Sequence, residues 1–260
     1  MRQSEAATHD DVPQIAAVVL DRMRARGPRV HCITNGVAQN FTANVLLATG
    51  AVPSMTLSAE EIAAFVARSG ALLVNLGTFD RERRAATEVA VATAARGSVP
   101  WVLDPVLVDR SAARADFARE LAARGPKAIR LNRAEFSSLS GSEPTREALA
   151  AYAHDKKLVV GLSGAEDTVS DGERFAIIAN GHPLMAKVTA MGCAASALVA
   201  ACLAVEPDAW RATTAALVMI GVAGELAAAK AEGPGSFAVA IIDSLHNLDG
   251  PALIAKAKAI

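Results

Sequence analysis

The sequence is poor in aromatic residues and carries almost no net charge. Aromatic residues make up 4% of the 260 positions and hydrophobic residues 52%, so the core must be built mainly from aliphatic side chains. The 26 lysine and arginine residues nearly balance the 27 aspartate and glutamate residues, which leaves a formal net charge of −1. This balance argues against nucleic acid or a membrane surface as a partner, because both attract strongly basic proteins.

Features of secreted and membrane proteins are also missing. The three cysteines, Cys32, Cys193 and Cys202, cannot all pair and lie in apolar stretches, which indicates reduced, buried thiols in a cytoplasmic protein. The first eleven residues are polar and lack the apolar segment of a secretory signal. No uninterrupted apolar run reaches the roughly 20 residues that cross a membrane. We therefore expect the apolar region 191–229 to form buried helices.

Several catalytic motifs are absent. The sequence contains no GxxxxGK(S/T) phosphate loop, no GxGxxG, no CxxC, no GxSxG and no HExxH. The histidines are dispersed without the spacing of metal ligands: His9, His31, His154, His182 and His246. The site must therefore be sought in the arrangement of the predicted strands and helices.

Short apolar runs alternate with amphipathic stretches. Strands are predicted at 30–33, 51–54, 71–75, 101–104, 127–130 and 158–163, with a hairpin at 168–170 and 174–178. Helices are predicted at 41–48, 59–68, 81–96, 112–124, 133–139 and 145–156, and near 193–205, 208–230 and 235–247. The rhythm predicts a single α/β domain over 1–260 with a mainly parallel sheet.

Two helix starts carry more detailed expectations. Ser58 is a candidate N-cap, with Glu61 at the spacing of a capping box. A further helix is expected before Gly27, with an apolar side formed by Val12, Ile15, Val18, Val19 and Met23.

Polar residues follow five predicted strands, where the functional site of a parallel sheet lies. They are Thr34-Asn35, Leu76-Gly77-Thr78, Asp104-Pro105, Leu131-Asn132 with Glu135, and Gly164 with Glu166. The carboxylates of Asp104 and Glu135 suit Mg²⁺, bound directly or through water, because this ion takes only one or two carboxylates beside phosphates. The competing interpretations are a turn cap for Asp104 and a first-turn helix position for Glu135.

The segment 187–201 places small residues before a long apolar helix. Such a loop lets backbone N–H groups approach an anion at the helix N-terminus. This predicts an anion hole at Gly192, with Cys193 beside the substrate hydroxyl and its thiol pKa lowered by the helix. The competing interpretation is a helix start that needs small residues for packing, with Cys193 as a buried apolar residue.

Six segments together resemble the hydroxyethylthiazole kinase family of the ribokinase-like superfamily. They are HCITNGVAQNFTANVLLATGAVPSM (31–55), GALLVNLGT (70–78), VPWVLDPV (99–106), AIRLNRAEFSSLSG (128–141), NGHPLMAKVTAMGC (180–193) and EGPGSF (232–237). The resemblance implies a ribokinase-like three-layer α/β fold. It also implies ATP- and Mg²⁺-dependent phosphorylation of the primary alcohol of 4-methyl-5-(2-hydroxyethyl)thiazole for thiamine salvage. A homotrimer with thiazole sites between subunits is implied as well.

The resemblance assigns residues to the thiazole pocket. Asn35, Val37 and Met55 would line it, and Gly77 and Thr78 would reach it from the adjacent chain. Cys193 would also contact the substrate.

The nucleotide side is assigned by the same resemblance to Arg130, Ser163, Glu135, Asp104 and Gly192. Asp104 and Glu135 would hold Mg²⁺, and catalysis would depend on Asp104, Gly192 and Cys193. Because Cys193 stands where relatives in the superfamily carry an aspartate base, we expect it to assist or position the hydroxyl. A loose transition state for phosphoryl transfer needs no strong base.

This chain departs from the family pattern at four places. Val106–Arg110 replaces a Gly-Ala-Gly-Ala-Thr-like stretch, and Ala190-Met191-Gly192 stands where two glycines are usual. Gly36 replaces a frequent glutamate, and the segment between Gly141 and Thr145 is short. These differences bear on nucleotide and substrate fit.

Three alternatives remain open. One is another ribokinase-like kinase, such as one for hydroxymethylpyrimidine, although the ITN and NFTAN segments argue against it. Another is a nucleotide-dependent hydro-lyase of the same fold, which would carry aspartate in place of Cys193. The third is a non-catalytic thiazole- or nucleotide-binding protein, in which Asp104, Glu135 and Arg130 would have no reason to occur together.

Overall fold

A single eight-stranded sheet organises residues 11–260, the part of the chain that the computed structural model describes. Its strands are β1 (Arg29–Ile33), β2 (Val52–Ser54), β3 (Ala71–Asn75), β4 (Trp101–Asp104), β5 (Ala128–Asn132), β6 (Val159–Ser163), β7 (Asp167–Ser170) and β8 (Phe175–Ile178). They lie in the order β2-β1-β3-β4-β5-β6-β7-β8. Strands β1 to β6 pair in parallel, and β7 and β8 add antiparallel. The predicted mainly parallel sheet is confirmed.

Helices cover both faces of the sheet. They are α1 (Val12–Arg26), α2 (Gln39–Ala48), α3 (Ile62–Ala67), α4 (Arg81–Gly97), α5 (Ala112–Ala122), α6 (Arg133–Ser140), α7 (Arg146–Lys156), α8 (Met191–Leu203), α9 (Ala209–Ala228), α10 (Pro234–Asn247) and α11 (Gly250–Lys256). Helices α1, α2 and α8 to α11 share one core with Leu73, whereas α3 to α7 share the other with Leu72. Successive strand residues point to opposite faces, so the apolar strands serve both cores. The three-layer α/β prediction is confirmed.

The apolar region 191–229 forms buried helices, as predicted. Within the described residues, α9 is the one helix long and apolar enough to cross a membrane, and 78% of its apolar window is buried inside the protein. It packs against α1, α8 and α10. Its apolar surface therefore packs within the hydrophobic core of this fold.

Three local predictions are wrong. Helix α3 begins at Ile62 rather than 59, and Ser58 does not cap it. The Glu61 carboxylate instead accepts a hydrogen bond from the Thr56 hydroxyl, so the expected capping box does not form. On α1, Val18 is 42% exposed rather than part of the apolar side. The expectation of a polar N-terminus without a secretory signal falls almost wholly outside the described residues.

The C-terminal residues complete the β8 edge of the sheet, which the sequence did not predict. The backbone N–H of Ile177 donates to the Ile260 carbonyl at 2.7 Å, and Ile260 returns a bond to Ile177 at 3.1 Å. Strand edges with unpaired backbone groups invite association with other chains. This edge is therefore protected within the chain, whereas β2 at the opposite end of the sheet order has one strand neighbour, β1.

Candidate active site

The carboxyl ends of β3 and β4 bring two buried polar side chains together. Asn75 ends β3 and Asp104 ends β4, and the two residues are in register across the parallel pair. The Asn75 Nδ2 group donates to Asp104 Oδ2 at 2.6 Å. Asp104 therefore accepts a hydrogen bond from a side-chain amide at this edge of the sheet, which favours its interpretation as a site residue over a simple turn cap.

Asn35 extends this contact to the start of helix α8. Its Nδ2 group donates to Asn75 Oδ1 at 3.1 Å and to Cys193 Sγ at 3.3 Å. The Ala38 N–H donates to Asn35 Oδ1 at 3.0 Å, which fixes the amide orientation. The four side chains of Asn35, Asn75, Asp104 and Cys193 form one hydrogen-bonded group, called the central network below.

Gly77 packs closely against the central network, with no space for a side chain at its position. Its N–H donates to Asn75 Oδ1 at 3.0 Å. A Cβ atom at Gly77 would lie 2.5 Å from Asn35 Nδ2 and 2.9 Å from Asn35 Cγ, which is closer than real Cβ contacts. The position therefore requires glycine, and its contact with Asn35 forms within one chain.

The N-terminus of α8, where the sequence predicts an anion hole, begins without a side-chain cap in the described structure. Its N-cap residue Ala190 has a left-handed φ of 69°, and no side-chain hydrogen bond caps this end among the described residues. The Ala194 N–H bonds the Ala190 carbonyl, so the N–H groups of the preceding turn have no partner inside the helix. Such free N–H groups, including that of Gly192, attract anions.

Arg130 lies against this helix start. Its Nη1 group donates to the Gly192 carbonyl at 3.2 Å, and a Cβ atom at Gly192 would lie 3.2 Å from the same nitrogen. The Arg130 Nε atom is buried and has no hydrogen-bond partner in the described structure. A positive group with a free donor thus adjoins the helix terminus.

Glu135 is held at the start of α6 by a capping box. Its N–H donates to Asn132 Oδ1 at 3.0 Å, and its Oε2 accepts from the Asn132 N–H at 2.9 Å. Its Oε1 also accepts from the Leu107 N–H at 2.9 Å. The first-turn helix interpretation of Glu135 is therefore confirmed, and the same carboxylate anchors the loop after β4.

The structure raises the pKa of both titratable groups in the central network. Burial raises the pKa of Asp104 to about 7, with the positive charge of Arg130 opposing the shift and the negative charge of Glu135 adding to it. Burial, together with the charge of Asp104, raises the pKa of the Cys193 thiol to about 11. The predicted lowering of the Cys193 pKa is wrong, because burial and Asp104 outweigh the helix terminus.

The carboxylates suit a magnesium ion that keeps water ligands. The described residues contain no group of three His, Cys, Asp or Glu side chains that could hold a metal. Mg²⁺ commonly uses one or two carboxylates together with phosphates and water. The buried Asp104 carboxylate, whose pKa burial raises, is a group that a cation would stabilise in its charged form.

Other predicted site residues lie outside the central network. The Ser163 hydroxyl, at the end of β6, donates to the Leu131 carbonyl at 3.3 Å. Met55 is half-buried against the core, Thr78 is half-buried after β3, and Val37 is 71% exposed. The hydrogen bonds described for the central network do not reach Val37, Met55 or Thr78.

Two residues that sequence reasoning missed are prominent in the structure. Asn75 is hydrogen-bonded to both Asn35 and Asp104. The sequence feature that could have identified it is a polar residue at the end of an otherwise apolar strand. Arg114 donates to two loop carbonyls near the site. Nothing in the sequence distinguished Arg114 from the other arginines of amphipathic helices.

Comparison with known proteins identifies close similarity along nearly the whole chain. A sequence model of the hydroxyethylthiazole kinase family matches residues 20–250. A probable hydroxyethylthiazole kinase of Agrobacterium fabrum is 46% identical over 244 residues, which cover 94% of each chain. The structure of a hydroxyethylthiazole kinase protein from Pyrococcus horikoshii superposes with a TM-score of 0.92 and 36% identity, covering 95% of this chain and 98% of that one.

A more distant structure shares the fold. A ribokinase-like superfamily protein from Enterococcus faecalis superposes with a TM-score of 0.68 and 14% identity, over 88% of this chain and 90% of that one. At this level of sequence identity, the similarity shows a shared fold and nothing further.

Proposed function

Because the chain belongs to the hydroxyethylthiazole kinase family, we propose that the site described above transfers the γ-phosphoryl group of ATP to the primary hydroxyl of 4-methyl-5-(2-hydroxyethyl)thiazole. The product is the thiazole phosphate, an intermediate suited to thiamine salvage. The proposed position of this reaction rests on the hydrogen bond from Asn35 Nδ2 to Cys193 Sγ at the N-terminus of α8. This bond links the polar side chains proposed to hold the substrate to the helix terminus proposed to bind the phosphoryl group.

The transferring phosphoryl group is proposed to bind at the N-terminus of α8. Phosphoryl transfer through a loose transition state depends mainly on positioning and on neutralising charge on the phosphoryl oxygens. The free N–H groups near Gly192 and the guanidinium of Arg130 offer both. Ser163, at the neighbouring carboxyl end of β6, is proposed to lie beside the nucleotide.

Cys193 is proposed to position the substrate hydroxyl rather than to deprotonate it. With a pKa of about 11, its thiol stays protonated at neutral pH and is not a thiolate base. A protonated thiol both donates and accepts weak hydrogen bonds. Because Asn35 donates to Cys193 Sγ, the S–H hydrogen is free to point toward a hydroxyl beside it.

A magnesium ion is proposed to be held by Asp104 and, through water, by Glu135. Both oxygens of Glu135 already accept a backbone N–H but keep lone pairs for bound water. When bound, the ion neutralises negative charge on the phosphates. The role of the protein here is to hold two carboxylates in fixed positions, one at the end of β4 and one in the first turn of α6.

The thiazole ring is proposed to lie beside Asn35, Val37 and Met55. Because Gly77 packs directly against Asn35 of its own chain, Gly77 and Thr78 are proposed to border this pocket from the same chain rather than from the adjacent one. Asn35 provides a fixed amide in this region. Val37 is 71% exposed, so its side chain is accessible to a ligand or a second chain.

A homotrimer is proposed for the assembled protein. Exposed apolar side chains lie on the edge strand β2 and on elements that adjoin it: Val52 on β2, Leu47 on α2 and Phe65 on α3. A groove of about 340 Å³ beside β2 is lined by Val52 and Phe65 with Arg29 and Arg68. An unpaired strand edge and exposed apolar side chains are features of surfaces on which another chain can pack.

A cytoplasmic location and a single functional domain are also proposed. Cys32, Cys193 and Cys202 are free thiols, which suits a reducing compartment. The two hydrophobic cores lie on opposite faces of the same sheet, which supports a single domain.

The decisive experiment follows ADP release and thiazole phosphate by mass spectrometry, using purified protein, ATP, Mg²⁺ and hydroxyethylthiazole. We expect stoichiometric product from the wild-type protein and at least a hundredfold loss in Asp104→Asn. Hydroxymethylpyrimidine serves as the competing acceptor. Nothing in the structure or the relatives favours a pyrimidine kinase, a hydro-lyase or a non-catalytic binding protein. A folded protein that binds thiazole and ATP but releases no ADP would refute the proposed reaction.

A further inference from the structure

Arg114, on helix α5, donates to the backbones of two different loops. Its Nη1 group donates to the Val106 carbonyl at 2.8 Å and to the Gly77 carbonyl at 3.3 Å. Gly77 follows β3, whereas Val106 follows β4. The guanidinium carbon also lies 5.6 Å from the centroid of the Phe79 ring, in the same loop as Gly77.

Each of these loops is held from its other side by a residue of the candidate site. The Gly77 N–H donates to Asn75 Oδ1, so Gly77 is bound at its N–H by the central network and at its carbonyl by Arg114. The Leu107 N–H donates to Glu135 Oε1, one residue beyond the carbonyl that Arg114 binds. Arg114 therefore completes a chain of contacts from Asn75 to Glu135.

The loop after β4 needs such outside support. Leu107 has a φ of 60°, in the left-handed region. This conformation is unfavourable in free energy for any residue that carries a side chain. Its flanking backbone groups are bound by Arg114 and Glu135, which are not part of the loop itself. Without these bonds, we expect the loop to relax toward ordinary φ values.

We propose that Arg114 is a positioning residue for the kinase reaction, fixing the Gly77 loop on the thiazole side and the Val106 loop on the phosphate side relative to each other. The inference rests on the proposed function, because it assumes that these loops flank the two substrates. It concerns alignment: Arg114 acts through Gly77, Val106 and Glu135 and not by touching the reacting atoms.

The chemistry of the side chain supports this role. The Arg114 Nε atom is buried without a hydrogen-bond partner in the described structure, a cost that the two carbonyl bonds and the Phe79 contact offset. Lysine would keep the charge but has a shorter reach and no planar face to lie over the ring. Arg84 also lies over the Phe79 ring, at 5.1 Å, so Phe79 keeps one cationic neighbour when Arg114 is replaced.

The alternative is that Arg114 only stabilises the fold by attaching α5 to the sheet. Arg124, just beyond the end of α5, is a suitable control because its Nη1 group contacts Glu88 Oε2 at 2.6 Å and joins the same helix to α4. Replacing either arginine removes a contact made by α5 or by the residues that directly follow it, but of the two only Arg114 contacts the loops of the candidate site. A purely structural role predicts similar kinetic constants for both variants at temperatures well below melting.

The test compares wild-type protein, Arg114→Met, Arg114→Lys and Arg124→Met by steady-state kinetics at 25 °C and by thermal melting. In Arg114→Met we expect kcat/KM for thiazole to fall roughly 10- to 100-fold, as for loss of a hydrogen bond from a charged donor. The loss should be divided between kcat and the thiazole KM, with the ATP KM changed less than threefold. Arg114→Lys should be intermediate, and Arg124→Met should stay within twofold of wild type.

Kinetic constants of folded Arg114→Met within twofold of wild type would overturn the inference, even if its Tm fell. If Arg114→Met does not fold, Arg114→Lys decides, and constants equal to wild type in that variant overturn it. Failure of the wild-type protein itself to phosphorylate thiazole would instead refute the proposed function, so the two failures are distinguishable.

Discussion

Gly77→Ala is the sharpest test of the central network. The added Cβ atom would lie 2.5 Å from Asn35 Nδ2 and 2.9 Å from both Cβ and Cγ of Asn35. The close contacts include the base of the Asn35 side chain, so rotation of its terminal amide alone does not relieve them. We expect the whole Asn35 side chain to be displaced.

The size of the effect follows from the bonds that Asn35 makes. It donates to Asn75 and Cys193 and accepts from the Ala38 N–H. Losing three hydrogen bonds, each with a net value of about 1 kcal/mol, predicts a destabilisation of about 3 kcal/mol. Because the displaced amide borders the proposed thiazole site, we also expect kcat/KM for thiazole to fall at least tenfold.

The assay is urea unfolding followed by circular dichroism, with product formation measured in parallel. Gly36→Ala is the matched control, because a Cβ atom at Gly36 would meet nothing within 4 Å and its φ is not in the left-handed region. The control should stay within 0.5 kcal/mol of wild type, roughly the scale of ordinary surface changes. Wild-type stability and turnover in Gly77→Ala would refute the packing argument and the place of Asn35 in the site.

Further predictions concern pH, reactivity and assembly. Burial lowers the pKa of His31 to about 4, so its folded form stays neutral while the unfolded form gains a proton near pH 6.5. Stability should therefore fall by up to about 3 kcal/mol as the pH drops from 6.5 to 4, and His31→Gln should flatten this dependence in urea unfolding. Cys193 should react with iodoacetamide at pH 8 far more slowly than free cysteine, and Cys193→Ala should lower kcat; full turnover would exclude a positioning role. Val52→Asp should reduce the mass measured by light scattering if β2 is covered by another copy, whereas Ile254→Asp, equally exposed on α11, should not.

The order of strands and helices was predictable because it depends on patterns local in sequence. Strand β3 reads as five buried residues, and its apolar run identified it without tertiary information. The start of α3 was not predictable in the same way. Ser58 and Glu61 have the spacing of a capping box, but the Thr56 hydroxyl competes for the Glu61 carboxylate. Local propensity fails where a neighbouring turn offers the same side chain another partner.

The candidate site was predictable in its location and less so in its chemistry. Parallel strands bring their carboxyl ends to one edge, so Asp104 and Asn35 were expected near each other from topology alone. The pKa of Cys193 was predicted in the wrong direction, because a helix terminus is visible in sequence and burial beside Asp104 is not. The role of Asn75 depended on its register with Asp104, which only the paired strands define.

The altered loop at Val106–Arg110 illustrates why a sequence departure need not remove a site. Its contacts to the site are made by backbone groups: the Val106 carbonyl binds Arg114, and the Leu107 N–H binds Glu135. Backbone contacts persist when side chains change, provided that the new residue tolerates the required φ. Leu107 meets this condition at some cost, with a φ of 60° and a side chain that is half exposed rather than forced into the core. The loop therefore keeps the anchors of Glu135 and Arg114, while its exposed side chains are free to change how the rim of the site meets a substrate.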